Sequence, residues 1–425
     1  MVTAKEQVIW WQIYPLGFLG APIRPQASVS AGQTQPSTTH GPSPDRRGLD
    51  GLIDWLDYML DMGANGLLLG PIFVSQTHGY DTLDYFHIDP RLGGDQAFDR
   101  LAQACRSKGI RLMLDGVFNH VGYGNPLFQQ ALQADQQEED PLFCVERQED
   151  GQLTYPVFEG HGDLPELNHG SQRTVELVVK VMEYWLARGA DAWRLDAAYA
   201  VPTEFWAQVL SRVRRDYPQA WFLGEVIHGD YPSIIQESGM DSLTQYELWK
   251  AIWSSLESGN FYELDWSLQR HNRFLDSFLP QTFMGNHDVS RIASRLGVHK
   301  TALAATTLLT VGGIPSIYYG DERAWEGIKE DRLGGDDAIR PAYPVSPQDL
   351  GPQGADIFEL IRSLIAIRRQ HPWMTSARSR SLHLDNRSYS YELVGGKGQQ
   401  LRVELNLDPS PHATVSSQGI LLLSI

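Results

Sequence analysis

The chain has 425 residues, 42% of them hydrophobic and 20% charged, with a formal net charge of −17. That acidity argues against a nucleic-acid partner, because phosphate binding needs a basic face. No stretch approaches the roughly 18 apolar residues of a membrane span, and the N-terminus MVTAKEQVIWWQIYP lacks an apolar signal core, so a cytoplasmic location without membrane contact is expected.

Taken in chain order, the first strand-like run is VIWWQIY (8–14). Residues 21–48 follow, rich in Pro, Ser, Thr, Gln and Gly, and read either as a loop without a role or as a lid over whatever lies at that end of the fold. LDGLIDWLDYMLDMGA then places Leu49, Leu52, Ile53, Leu56, Met59 and Leu60 on one stripe at the helical period, with Gly63 as its stop. NGLLLGPI (65–72) is the second strand. DQAFDRLAQACRSKG is a helix carrying Cys105, which with Cys144 makes up the two cysteines of the chain; they are expected to stay unpaired. RLMLDGVF (111–118) is the third strand. Residues 121–170 are too long for a loop and show little helical periodicity, which predicts a small inserted subdomain.

Five further strands are expected at DAWRLDA (191–197), AWFLGEV (220–226), DSLTQYE (241–247), QTFMGNH (281–287) and PSIYYGDE (315–322). Most of the eight are continuous apolar runs, as parallel strands covered on both faces require. Strand–helix alternation over eight units predicts a closed (β/α)8 TIM barrel formed by residues 1–120 and 171–375, with an inserted domain B at 121–170. From 376 to 425 the runs SRSLHLD, RSYSYELV, QQLRVELNL and GILLLSI, separated by turns, predict a compact antiparallel β domain.

Three of the strands end in an acid: Asp196, Glu225 and Asp288. Barrel enzymes place their chemistry at the C-terminal ends of strands, and retaining cleavage of a glycosidic bond needs two close carboxyls. A buried ion-pair network around Arg194 would account for one acid, but not for three on three strand ends.

With the strands placed, the motifs resemble the α-amylase superfamily, glycoside hydrolase family 13. DGVFNH (115–120), GADAWRLDA (189–197), GEV around Glu225 and FMGNHD (283–288) are similar to its four signatures in order. LPELN (164–168), GIPSIYYGDE (313–322) and HGYDTLDYFHIDPRLGG (78–94) are similar to its shorter ones. The resemblance implies that Asp196 is the nucleophile, Glu225 the acid and base, and Asp288 the stabiliser of the transition state. Arg194 is expected to hold the Asp196 carboxyl down, and the two reacting carboxyls to lie ~5 Å apart. Tyr80, Asp81, His120 and His287 would contact the central sugar. In RLGGDDAIRPAYP (332–344), Asp336, Asp337 or Arg340 would reach the end of a short substrate, unless they form a surface ion pair. Trp10, Trp11, Phe73, Trp249 and Trp325 would stack on sugars or pack in the core.

Asn119 is the one calcium candidate. The calcium-dependent relatives carry Lys-His three and four residues beyond the nucleophile, where this chain has Tyr199 and Ala200, and one asparagine is not a site for a hard cation. No cofactor is therefore expected to be required. The missing pair turns the resemblance away from endo-amylases and toward α-glucosidases, cyclomaltodextrinases and neopullulanases. Ala197 after the nucleophile resembles α-1,4 enzymes. The expected activity is hydrolysis of α-glucosidic bonds in short maltooligosaccharides or cyclodextrins, with an oligosaccharide as the partner molecule. A transglycosylase of the same fold is the alternative. An inert binding subunit is disfavoured by the retention of all three acids. Cyclodextrin-active relatives often dimerise through an extra N-terminal domain, which is not expected here because the first strand begins at about residue 8; the oligomeric state stays open.

Overall fold

In the computed structural model, residues 6–24, 48–134 and 139–425 are described. Eight parallel strands form one sheet: β1 (Trp10–Ile13), β2 (Gly66–Leu69), β3 (Arg111–Gly116), β4 (Ala192–Leu195), β5 (Trp221–Gly224), β6 (Ser242–Leu243), β7 (Gln281–Phe283) and β8 (Ile314–Tyr318). Their order is β6-β5-β4-β3-β2-β1-β8-β7, and a parallel bridge from Thr244 to Gln281 joins the two ends into a barrel. The expected strand at 241–247 is correspondingly shorter. Only Ser242 and Leu243 pair with β5, because the Gln245 side chain accepts the amides of Glu247 and Leu248 and starts a helix at Tyr246.

The period of two along each strand sorts the barrel into an inside and an outside. Trp11, Leu67, Leu112, Leu114, Trp193 and Phe222 join the outer core beneath the helices. Trp10, Leu68, Met113, Ala192, Leu223 and Ile314 form a separate apolar cluster that plugs one end of the interior. Two residues further along the same inward faces come Gln12, Asp115, Arg194 and Glu225, all buried. The inside therefore changes from apolar to charged along its axis, and the charged layer lies at the C-terminal ends of the strands.

The loops at that end supply the rest. After β2 an antiparallel hairpin, Phe73–Ser75 with Thr82–Ile88, carries Tyr80 and Asp81 at its tip; the sequence reading had no strands there. Between β3 and the helix Gln172–Ala187 the chain forms an eight-residue helix, Pro126–Gln133, and a short hairpin, Glu146–Arg147 with Leu153–Thr154. Leu167 donates its amide to Asn119 O at 3.0 Å and Val121 to Pro165 O at 3.0 Å, stitching this insertion to the end of β3. The stripe beginning at Leu49 is a 3-10 helix to Trp55 and an α-helix from Leu56 to Met62, stopped by Gly63 in the left-handed region at φ 100.

The C-terminal domain is a five-stranded antiparallel meander: β9 (Arg378–Leu384), β10 (Ser388–Val394), β11 (Gln400–Asn406), β12 (His412–Ser417) and β13 (Ile420–Ser424). β12 was missed in the sequence, where HATVSS looks like part of a Pro-rich turn; only Ala413 and Val415 point inward from it. Tyr389 donates to Asp265 Oδ1 at 3.0 Å, and the Tyr391 and Thr310 hydroxyls meet at 2.6 Å, tying the meander to barrel helices. Both cysteines are free, Cys105 buried and Cys144 exposed. Among the described residues no helix is long and apolar enough to cross a membrane. Residues 25–47, which hold most of the stretch read as a loop or a lid, lie outside the described residues.

Candidate active site

One guanidinium organises the charged end of the barrel. Arg194 on β4 donates Nη1 to both oxygens of Asp115 at 2.7 Å and to Asp196 Oδ1 at 3.0 Å, and its Nη2 lies 2.6 Å from Glu225 Oε1. Asp196 and Glu225 thus sit side by side on adjacent strands, bound to the same planar group. Just past the nucleophile candidate the chain turns through Ala197, at φ 46, which aims the Ala197 amide at Glu225 Oε2, 3.1 Å away. A small residue suits this left-handed position, which a β-branched one would strain.

Asp288 faces them from the loop after β7. Its Oδ1 accepts from Arg340 Nη2 at 3.0 Å and its Oδ2 lies 3.1 Å from His287 Nε2. Gln12 donates its amide to His287 Nδ1 at 3.2 Å, which leaves the ring proton on Nε2, facing Asp288 and the Tyr80 hydroxyl. The Tyr80 and His287 rings lie parallel, centroids 5.4 Å apart, and Tyr80 donates to Asp115 Oδ2 at 3.2 Å. Tyr80, His287 and the acids thereby form one connected network.

The electrostatics correct one expectation. Arg194 does lower the Asp196 carboxyl, but burial and the neighbouring Glu225 outweigh it and raise that carboxyl well above the usual range. Burial likewise pushes Asp115 up to about 6 against the pull of Arg194. Arg194 is thus bonded to all three buried carboxyls, and burial disfavours the charged forms of Asp196 and Asp115 despite it. Burial, then Arg194 and Arg340, push His287 well below its ordinary value, so it is neutral.

Three of the residues expected to contact sugar make the following contacts within the protein. His120, pushed down to about 4 by burial, is neutral; its Nε2 donates to Tyr80 O at 3.1 Å and its Nδ1 accepts from Asn119 Nδ2 at 3.2 Å. No donor remains for a sugar, and its ring stacks on Phe158 of the insertion at 4.6 Å. Asp81 Oδ2 accepts from Thr77 Oγ1 at 2.5 Å within its own turn, while its buried Oδ1 has no protein partner. Arg340 spends Nε on His287 O at 2.9 Å and Nη2 on Asp288 and Asp336, so it braces Asp288. Asp337 forms an exposed ion pair with Arg24 at 3.1 Å. Trp10, Trp11 and Phe73 pack in the core, Trp249 against Trp253 and Phe283, and Trp325 against Tyr343.

A family profile described as the catalytic domain of alpha amylase matches residues 33–346. The chain belongs to the α-amylase family. A cyclomaltodextrinase of Geobacillus thermopakistaniensis is 32% identical over 382 residues, covering 86% of this chain and 63% of that one. Neopullulanase 2 of Thermoactinomyces vulgaris is 30% identical, covering 92% and 67%. The chain thus spans about two-thirds of the length of these relatives. Among solved structures, the cyclic α-maltosyl-(1→6)-maltose hydrolase of Arthrobacter globiformis superposes with a TM-score of 0.78 at 28% identity, over 94% of this chain and 90% of that one. Within the family the likeness lies with cyclomaltodextrinase and neopullulanase types, as the Tyr199–Ala200 departure implies.

The sequence reading missed Asp115, Gln12, Tyr246 and Asn286. Counting the period of two along β3 would have found Asp115, since it shares the inward face of Met113. Tyr246 and Asn286 carried no such signal, because each lies three residues past the last ladder pair of its strand, Leu243 and Phe283, where the period of two no longer holds.

Proposed function

We propose that the chain is a retaining glycoside hydrolase of α-glucosidic, mainly α-1,4, bonds in short maltooligosaccharides or cyclodextrins. The observation that carries this reading is the single guanidinium of Arg194 holding Asp196 and Glu225 side by side, the adjacency that double displacement needs and that inversion, with a water between its carboxyls, does not. Asp196 attacks the anomeric carbon and forms a glycosyl ester while Glu225 protonates the departing oxygen. Glu225 then takes a proton from water, which releases the sugar with its configuration kept. Asp288, braced by Arg340 and His287, faces the developing positive charge on the ring. The named activities of the similar proteins support the substrate class. The free thiols of Cys105 and Cys144 suit a reducing compartment and support a cytoplasmic location.

Product analysis over time with maltotriose, α-cyclodextrin, isomaltose and sucrose as separate substrates tests the reading. Glucose and maltose of unchanged anomeric configuration are expected from maltotriose. Longer or rearranged sugars as the main products would make the chain a transglycosylase, and no turnover of any would overturn the reading. The Arthrobacter hydrolase favours a second reading, in which a cyclic saccharide containing α-1,6 links is preferred, and that sugar belongs in the same panel.

We further propose that no calcium is required. Asn119 Oδ1 is buried without a partner, but the backbone oxygens beside it are taken: Asn119 O by the Leu167 amide and Phe118 O by His169 Nε2, each at 3.0 Å. One oxygen falls far short of the six to eight a calcium ion needs. Dialysis against a chelator is expected to leave both turnover and melting temperature unchanged; a loss restored by added calcium would sink this proposal.

A further inference from the structure

Tyr246 is the first residue of the helix Tyr246–Ser258, set just past β6 by the Gln245 cap. Its hydroxyl lies 3.0 Å from Glu225 Oε1 and 2.9 Å from Asn286 Nδ2. The direction of this chain is determined at its far end. Asn286 Oδ1 accepts the Asp288 amide at 2.9 Å, so Nδ2 must face the phenol. The phenol oxygen accepts from Nδ2, and its own hydrogen is left for Glu225. Phe283 and Trp249 meet the ring edge-on, at 5.0 and 5.7 Å, which keeps the hydroxyl from swinging away.

We propose that Tyr246 is a positioning residue for Glu225, and that Asn286 orients its hydroxyl, so that the acid–base carboxyl is held from the β6 side independently of Arg194. This inference rests on the acid–base role given to Glu225 above. Several charged or titratable groups face that carboxyl: Arg194 and Asp196 from β4, Asp115 from β3, Tyr199 from the following turn, and His287 and Asp288 from the loop after β7. Arg194 divides its donors among three carboxyls. Tyr246 has one hydrogen and gives it to Glu225. Burial raises the phenol well above its ordinary value, so that hydrogen is retained across the working pH range. The bond gains strength when Glu225 has surrendered its proton, because a hydrogen bond to an ionised acceptor is the stronger one. Tyr246 therefore stabilises the state that follows proton donation, and together with Arg194 it holds Oε1, so that Oε2, contacted by the Ala197 amide alone, is the oxygen left to donate.

Tyr246→Phe removes only the hydroxyl. With maltotriose, kcat is expected to fall about 10- to 100-fold with KM little changed, and the alkaline limb of kcat/KM to move up by about one pH unit, since the carboxylate has lost a donor. With a 4-nitrophenyl α-maltoside, whose leaving group needs little protonation, the loss should shrink to a few-fold. Asn286→Ala should move the limb the same way by less. Equal losses on both substrates with an unmoved limb in both variants would reduce Tyr246 to packing and overturn the proposal. A readout free of turnover is the pH titration of selectively 13C-labelled glutamate δ-carbons, with Glu225→Gln assigning the resonance. That resonance should titrate at higher pH in Tyr246→Phe than in the wild type, and an identical titration overturns the proposal even if no saccharide is turned over. Glu225→Gln that keeps full activity on maltotriose would instead remove the acid–base assignment itself.

Discussion

Asp196→Asn is expected to lower kcat on maltotriose by about 10⁴-fold or more while leaving the melting temperature nearly unchanged. The amide matches the carboxylate in shape, and its oxygen can still accept from Arg194 Nη1, now 3.0 Å from Asp196 Oδ1. What it lacks is the negative charge that makes a carboxylate oxygen a nucleophile and leaves a neutral glycosyl ester as the product. Stability should not suffer, because the variant removes one of three carboxyls that compete for a single cation. The wild type offers a second check. Burial and Glu225 raise the Asp196 carboxyl, and an unprotonated nucleophile is required, so the acid limb of kcat/KM should lie above the ~3.9 of a free aspartate. Initial rates of glucose release across pH measure both. A variant that keeps its rate would remove Asp196 from the nucleophile's role, and an acid limb at or below ~3.9 would contradict its electrostatics.

The parts of this site that were legible in the sequence are those whose side chains follow the strand period. Asp196 and Glu225 lie one step beyond the last paired residue of β4 and β5, on the inward face, so the strand ends located them. The contacts that His120 and Arg340 make within the protein were not legible, because they depend on atoms contributed by distant segments: the Tyr80 carbonyl at the tip of a hairpin, and the His287 carbonyl after β7. The same limit hid Tyr246, whose significance rests on Asn286, 40 residues later in the chain. For the fold, the eight barrel strands were readable because each is buried on both faces. β12 was not, since a half-exposed strand with only Ala413 and Val415 inside carries too little apolar signal to separate it from a turn.

Arg194→Met should be the most destabilising single substitution in the site, by about 3–5 kcal/mol near pH 8, because it leaves three buried carboxyls without their cation. Methionine fills much of the same volume, so the loss is one of charge more than of packing. The pH dependence separates the two causes. In the wild type Asp115 already sits at about 6, above its unfolded value of ~3.9. Without Arg194, the folded-state values of Asp115 and Asp196 rise further. A carboxyl with a raised folded value imposes no charge penalty below its unfolded pKa, and imposes all of it once the pH exceeds the folded value. The gap in melting temperature between Arg194→Met and the wild type should therefore be wide at pH 8 and narrow at pH 5, as calorimetry would measure it. Equal gaps at both pH values would mean that Arg194 matters through packing. Adding Asp115→Asn to Arg194→Met should recover more at pH 8 than at pH 5, since the penalty on that carboxyl grows from its unfolded value of ~3.9 until the pH passes its folded value.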